Sequence, residues 1–132
     1  MIAVDASALI SIAEREPDAL RHLDVLAATD EALIGQVNYL ETGLILVRRG
    51  RFDGRSAFDH WLSELGVEIF DGEVSGQDAL DAYLRWGRGF HRAGLNMGDC
   101  FAYALAKALD APLLYKGDDF SRTDIRSALQ PI

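Results

Sequence analysis

Ile2-Ala3-Val4-Asp5-Ala6-Ser7-Ala8-Leu9-Ile10-Ser11-Ile12-Ala13-Glu14 sets the fold class. Three apolar residues read as a short buried strand over Ile2 to Val4, and the alanine-, leucine- and isoleucine-rich run Ala6 to Glu14 reads as a helix. Asp5 therefore stands at the C-terminal end of a strand, where a lone carboxylate is half buried and needs a partner. The same alternation continues outward. Pro17 suits the first turn of a second helix with Leu20, Leu23 and Ala27 at helical spacing, closed by Thr29 and Asp30. Ala32 to Gly35 reads as a second strand. Asn38 to Arg49 reads as a third helix, with Asn38 as N-cap, Leu40, Leu44 and Val47 on one face, and Gly50 as the stop.

Gly54 to Leu65 places Phe58, Trp61, Leu62 and Leu65 on one helical face, before a strand-like Val67 to Phe70. Ser75 and Asp78 read as a capping box for a helix carrying Leu80, Tyr83, Leu84 and Trp86, which weakens in the glycines at 87, 89 and 94. Asp99 to Leu109 is a helix of small residues, able to approach a sheet closely. Pro112 ends it, Leu113 to Tyr115 gives a fourth strand, and Gly117, Asp118 and Asp119 form a turn just beyond. Strands separated by helices predict an α/β domain with a short, mainly parallel sheet flanked by helices on both faces. In such a sheet ligands gather beyond the C-terminal strand ends.

Composition narrows the class further. The 132 residues, 49% of them hydrophobic, suit one domain with one core, spanning 1–132. No apolar run approaches the roughly 20 residues that span a bilayer, so a cytoplasmic protein without targeting segment or membrane contact is expected. Cys100 is the only cysteine, and His22, His60 and His91 are scattered, so a metal would be held by oxygen. A net charge of -8 argues at first against a nucleic-acid partner, yet the charge is unevenly spread. No acid lies between Asp81 and Asp99, a stretch carrying Arg85, Arg88, His91 and Arg92 beside Trp86 and Phe90. A second acid-free stretch holds Arg48, Arg49 and Arg51. Guanidinium groups grip phosphate oxygens bidentately, although cations at helix ends also offset the helix dipole.

Taken singly, each acid has an ordinary explanation. Glu41 follows Asn38 by three residues and Asp99 follows Asn96 by three, the spacing of capping boxes, while Asp118 and Asp119 suit a turn. The ordered set reads differently. Val4-Asp5-Ala6-Ser7-Ala8-Leu9, then Glu41, then Leu95-Asn96-Met97-Gly98-Asp99-Cys100, then Leu113-Leu114-Tyr115-Lys116-Gly117-Asp118-Asp119-Phe120 resembles the PIN-domain ribonucleases, and within them the VapC toxins of bacterial toxin–antitoxin pairs. The resemblance spans essentially the whole chain and implies a three-layer PIN-like fold. It implies that Asp5, Glu41 and Asp99 bind Mg²⁺ or Mn²⁺ and that Asp118 or Asp119 supplies a fourth acid. Ser7 matches a hydroxyl that hydrogen-bonds the first aspartate, and Cys100 reads as packing beside the site.

The resemblance further implies hydrolysis of RNA to a 5′-phosphate and a 3′-hydroxyl. Hard divalent cations prefer oxygen ligands and keep several waters, so a few carboxylates around an open cavity suit that chemistry. Arg85, Arg88, His91 and Arg92 are expected to flank the pocket and grip RNA phosphates. The implied partners are a VapB-like antitoxin that blocks the site and a second copy of the chain in a homodimer. Two other enzyme classes are excluded by the motifs. A response-regulator receiver carries paired acids after its first strand, where Asp5 stands alone. A haloacid-dehalogenase phosphatase wants an aspartate two residues after the first, where this chain has Ser7. A housekeeping PIN-domain nuclease, or a PIN-like module that binds RNA or protein without cutting, stays open as an alternative.

Overall fold

The computed structural model describes residues 1–129. Four strands, β1 (Ile2–Val4), β2 (Ala32–Ile34), β3 (Val67–Ile69) and β4 (Leu113–Leu114), form one sheet in the order β3-β2-β1-β4. Every pairing is parallel, with Ala3 beside Leu33 on one side and Leu113 on the other. Six helices connect them: α1 (Ala6–Ala13), α2 (Ala19–Ala28), α3 (Gln36–Arg48), α4 (Arg55–Glu64), α5 (Gly76–Trp86) and α6 (Met97–Leu109).

β1, β2 and β4 lack polar alternation because both faces of the sheet are covered there, whereas the edge strand β3 carries exposed Glu68 and Ile69. Successive side chains point to opposite faces. Ile2, Val4, Ile34 and Leu114 join Leu9, Leu26, Leu46, Phe58 and Leu62 on the side of α1 to α4. Ala3 and Leu113 join Ala79, Ala82, Ala102, Leu105 and Ala106 on the side of α5 and α6. This is the three-layer arrangement the sequence predicts. The small residues of α6 let it lie close over the sheet, with Ala102 and Leu105 fully buried. Among the described residues no helix is long and apolar enough to cross a membrane.

Two helices present a different face from the one their leucines suggest. Leu40 and Leu44 of α3 are 59% and 54% exposed, and Leu80 and Leu84 of α5 are 56% and 51% exposed. The buried residues are instead Asn38, Thr42 and Leu46 on α3 and Ala79 and Ala82 on α5. Both helices are sandwiched against other helices at close range, so small or hydrogen-bonded side chains fill the contact and the bulky leucines are left outside. The third helix also starts two residues earlier than its sequence indicates, at Gln36, with Gly35 as an N-cap that makes no side-chain bond. Asn38 is thus an interior residue of the helix, not its cap.

Away from the sheet, the buried His22 of α2 faces Asp18 at 3.4 Å, and Asp18 accepts from Ser11 Oγ of α1 at 2.7 Å. Burial holds the His22 imidazole below its ordinary pKa against the pull of Asp18. Lys116, just past β4, closes the group through Glu16 at 2.6 Å. This network fixes the α1–α2 corner to the strand that bears the terminal acids.

Candidate active site

Strand order reverses between β1 and β4: the chain steps from β1 outward through β2 to β3, and β4 then adds on the opposite side. A crevice beyond the C-terminal strand ends opens at such a switch point. Asp5 follows β1 there and Lys116 to Asp119 follow β4 there.

Asp5 is 3% exposed. It caps α1, its Oδ2 accepting from Ser7 N at 3.0 Å and from Ser7 Oγ at 2.5 Å. Its Oδ1 is buried with no partner among the described residues. Burial pushes the Asp5 carboxyl up to about 7, helped by the charges of Asp99 and Glu41 and opposed by the Ser7 bonds. Ser7 Oγ also accepts from Lys116 N at 2.9 Å. One hydroxyl therefore spends its proton on Asp5 and a lone pair on the backbone after β4, tying the two strand ends together.

Asp99 and Asn96 form the full capping box of α6: Asn96 Oδ1 accepts from Asp99 N at 2.8 Å and Asp99 Oδ2 from Asn96 N at 3.0 Å. The ordinary reading of Asp99 is therefore correct, and it does not exhaust the residue. Burial raises the Asp99 carboxyl, the bond from Asn96 lowers it, Asp119 raises it and Arg88 lowers it. Glu41 has no capping partner, because α3 begins five residues before it. Burial and then Asp99 raise its carboxyl, while the Asn38 amide lowers it. Of the two turn acids, Asp119 is the one whose charge acts on Asp99. Asp118 is exposed and its carbonyl oxygen accepts from Ser121 Oγ at 2.6 Å.

Asp99 thus links the set, its charge acting on Asp5 and Glu41 and that of Asp119 acting on it, although the sequence spreads these acids over 115 positions. Among the described residues no three such side chains are already drawn into a tight metal cage. Like charges with nothing between them stay apart. A hard cation suits this set: the donors are all carboxylate oxygens, and Asp5 Oδ1 is a buried acceptor without a donor. Cys100 next door is 1% exposed and burial pushes its thiol up to about 11. It is therefore a packed, protonated thiol at neutral pH and no nucleophile.

The basic loop divides. Arg88 reaches the site, lowering the Asp99 carboxyl and lining a cavity of about 530 Å³ with Tyr83, Asn96, Met97 and Phe101. Arg92 is exposed in the same loop, and among the described residues neither arginine is held in an ion pair. Arg85 points elsewhere: its guanidinium lies 4.5 Å from the Trp86 ring centroid and 3.7 Å from Asp124. His91 is a loop-shaping residue, with its Nδ1 accepting from Ala93 N at 3.0 Å and its ring edge-on to Trp86. Of the four residues expected to grip phosphates, Arg85 and His91 are thus engaged in contacts within the protein, and Arg88 and Arg92 are not held in ion pairs among the described residues. Arg85 still belongs to the last turn of α5, whereas Arg88 and Arg92 lie in the loop beyond it, so the helix and not the loop sets where Arg85 points. Of the second basic stretch, Arg49 and Arg51 are tied to Glu14, at 3.6 Å and 2.6 Å, near the far end of α1 from Asp5.

Two residues at the site escape sequence reading. Asn38 Nδ2 donates to Gly98 O at 2.9 Å. A Cβ placed on Gly98 would stand 2.7 Å from Glu41 Oε2. Neither contact has a local signature, since 60 residues separate Asn38 from Gly98.

Comparison with known proteins agrees with this geometry. Residues 2–126 match the family described as the PIN domain. The chain is similar to ribonuclease VapC30 of Mycobacterium tuberculosis, 41% identical over 129 residues that cover 97% of this chain and 98% of that protein. It is likewise 41% identical over 123 residues to the ribonuclease VapC of Mycolicibacterium smegmatis, covering 92% of this chain and 95% of the relative. In fold it is similar to the crystal structure of Mycobacterium tuberculosis VapC20, described as a sarcin–ricin-loop-cleaving toxin. The TM-score is 0.75 at 17% identity, over 99% of this chain and 100% of the other. A toxin–antitoxin complex from Klebsiella pneumoniae gives a TM-score of 0.63 at 16% identity, over 94% and 93% of the two chains.

Proposed function

The chain belongs to the PIN-domain family, among its VapC ribonucleases, and from that premise we propose that it is a divalent-metal-dependent endoribonuclease. It hydrolyses RNA phosphodiester bonds as the toxin of a toxin–antitoxin pair. The observation that carries the metal reading is the buried Asp5, with one oxygen bonded to Ser7, the other lacking any donor, and further acids close enough to raise its carboxyl. Such a cluster is relieved by a cation.

Asp5, Asp99 and Glu41 would hold Mg²⁺ or Mn²⁺, with Asp119 at the rim. When bound, the ion makes a water more acidic and offsets charge on the transferring phosphoryl group. The chain's own residues do the rest. Ser7 holds Asp5 in one orientation by donating to Oδ2. Asp99 is held through Oδ2 by its capping box, which leaves Oδ1 to a ligand. Arg88 supplies the nearest guanidinium for a phosphate oxygen, and the aromatic rings of Tyr83 and Phe101 in the adjoining cavity offer faces for stacking a base.

The test is a cleavage assay on single-stranded RNA joined to a melt. Mn²⁺ should support cutting and chelation should stop it. The melting temperature should rise with Mn²⁺, because the ion binds the folded site in preference to dispersed acids; at a hundredfold excess over its dissociation constant it stabilises by about 2.7 kcal/mol. Calcium should raise the melting temperature yet support little turnover. A melt indifferent to millimolar Mn²⁺ removes the metal from the mechanism.

RNA binding by an acidic chain is a local matter. Screening at physiological salt confines the repulsion from a net charge of -8 to about 8 Å. Replacing Arg88 and Arg92 together by glutamine should weaken RNA binding uniformly across sequences and lower the slope of log K against log salt by about one per lost phosphate contact. An unchanged slope with unchanged cleavage would assign the loop to protein contacts.

The protein partners in this reading are an antitoxin and a second copy of the chain. The exposed leucines of α3 and α5 support apolar contacts. So does a groove of about 290 Å³ between α3 and α4, lined by Tyr39, Leu40, Leu44, Val47 and Phe58.

A further inference from the structure

Glu41 and Asp99 belong to different helices, and something must set the distance between them. α3 carries Glu41 in its second turn, and α6 carries Asp99 in its first. The two helices pack against each other, and a buried hydrogen bond joins them: Asn38, fully enclosed, donates from Nδ2 to the carbonyl of Gly98 at 2.9 Å. Asn38 precedes Glu41 by one helical turn and so lies on the same face. Gly98 is the residue before Asp99. The backbone of α3 is locked in turn, because Thr42 Oγ1 donates to Asn38 O at 2.6 Å.

Gly98 contributes by lacking a side chain. It is buried, and a Cβ there would stand 2.7 Å and 2.9 Å from the two carboxylate oxygens of Glu41 and 3.0 Å from its carboxyl carbon. The carboxylate of Glu41 therefore rests directly against the first turn of α6. Gly98 is not needed for backbone freedom, since its φ is not in the left-handed region. It is needed for space.

We propose that Asn38 and Gly98 are positioning residues that form a clamp between α3 and α6. The Asn38 bond fixes the two helices together, and the bare Cα of residue 98 lets Glu41 lie beside Asp99 so that both face one cation. The clamp rests on the metal-centre reading above and adds the reason two distant acids share a site. The three atoms nearest to a methyl group at 98 all belong to the far end of the flexible Glu41 side chain. Glu41 would swing away, leaving the fold intact and the ion one ligand short.

The experiment is a Mn²⁺ titration of the purified full chain followed by electron paramagnetic resonance, with circular dichroism and metal-free melts as fold controls. Gly98→Ala should bind Mn²⁺ about ten-fold more weakly, the lower end of the loss seen when residues supporting metal ligands are removed. Its metal-free melting temperature should be unchanged or raised, since alanine suits a helix better than glycine. Glu41→Asp draws the carboxylate back by one methylene, so adding Gly98→Ala to it should cost little more; a merely structural role for Gly98 would give equal losses in both backgrounds. Asn38→Leu, close in volume but without a donor, should weaken Mn²⁺ binding while remaining folded. Gly98→Ala and Asn38→Leu that bind as the wild type does, or equal losses with and without Glu41→Asp, overturn the clamp alone. A wild-type chain that gives no bound Mn²⁺ signal overturns the metal reading and the clamp with it.

Discussion

Asp5→Asn should abolish RNA cleavage, by about a thousand-fold or more, and yet melt higher than the wild type when no metal is present. The loss of activity follows from removing a preorganised charge at the reacting centre. The gain in stability follows from Asp5 being the most buried acid of the cluster, with its carboxyl pushed up to about 7 from 3.8 by burial first and by Asp99 and Glu41 after it. Between those two values the folded protein holds a proton that the unfolded chain has released. Stability from this group is therefore fully present below about pH 4 and is lost as the pH rises through 7. The interval corresponds to roughly 4 kcal/mol at pH 8, part of which the weaker bonds from Ser7 to asparagine take back. Wild type and variant should thus melt together near pH 4 and diverge toward pH 8. Adding Mn²⁺ should reverse the order, because only the wild type keeps the full ligand set. Asp99→Asn should lose activity similarly, with a smaller gain in stability, since that carboxylate also caps α6. Full activity in either variant removes that residue from the mechanism.

Expression of the wild-type chain by itself should arrest bacterial growth, and co-expression with its antitoxin should restore it. A nuclease acting catalytically on cellular RNA does damage out of proportion to its abundance, so restraint requires near-complete occupancy of the site by a tightly bound partner. A nanomolar complex needs about 12 kcal/mol of binding free energy. The apolar groove between α3 and α4 can supply the hydrophobic share. The acidic crevice would accept a cationic side chain from the partner, the same sign of charge that a metal ion would bring. Asp99→Asn should be harmless when expressed alone while still capturing the antitoxin, which separates inhibition from chemistry. A wild-type chain shown to be folded and abundant but without effect on growth overturns the toxin reading and leaves the nuclease reading standing.

Legibility differed between elements for identifiable reasons. The strands were plain because a parallel sheet covered on both faces needs unbroken apolar runs, and Ile2 to Val4, Ala32 to Ile34 and Leu113 to Leu114 are such runs. The α6 capping box was legible because it is entirely local: two residues three positions apart, Asn96 and Asp99, decide it. The apparent box at Asn38 and Glu41 has the same spacing and is not one. The chain enters its helix at Gln36, and Asn38 is taken by a carbonyl 60 residues away. Helix orientation failed in a similar way, since the leucine stripes of α3 and α5 face outward and smaller residues face in. Periodicity finds a stripe without saying which stripe the neighbours cover.

The sequence by itself determined the fold class and the order of strands and helices, because each follows from local polarity, spacing and turn chemistry, whereas the acids were singled out only by the resemblance of their ordered motifs to the PIN-domain ribonucleases. Only the tertiary structure decided which of those acids act on one another. It brings Asp119 rather than Asp118 to bear on Asp99, sends Arg85 to the far flank while Arg88 reaches the site, and seats Glu41 against a glycine in another helix. The physical reason is the switch point of the sheet. Parallel strands deliver their C-terminal ends to one edge whatever their separation along the chain, so the electrostatics of the site come from neighbours that local sequence cannot specify.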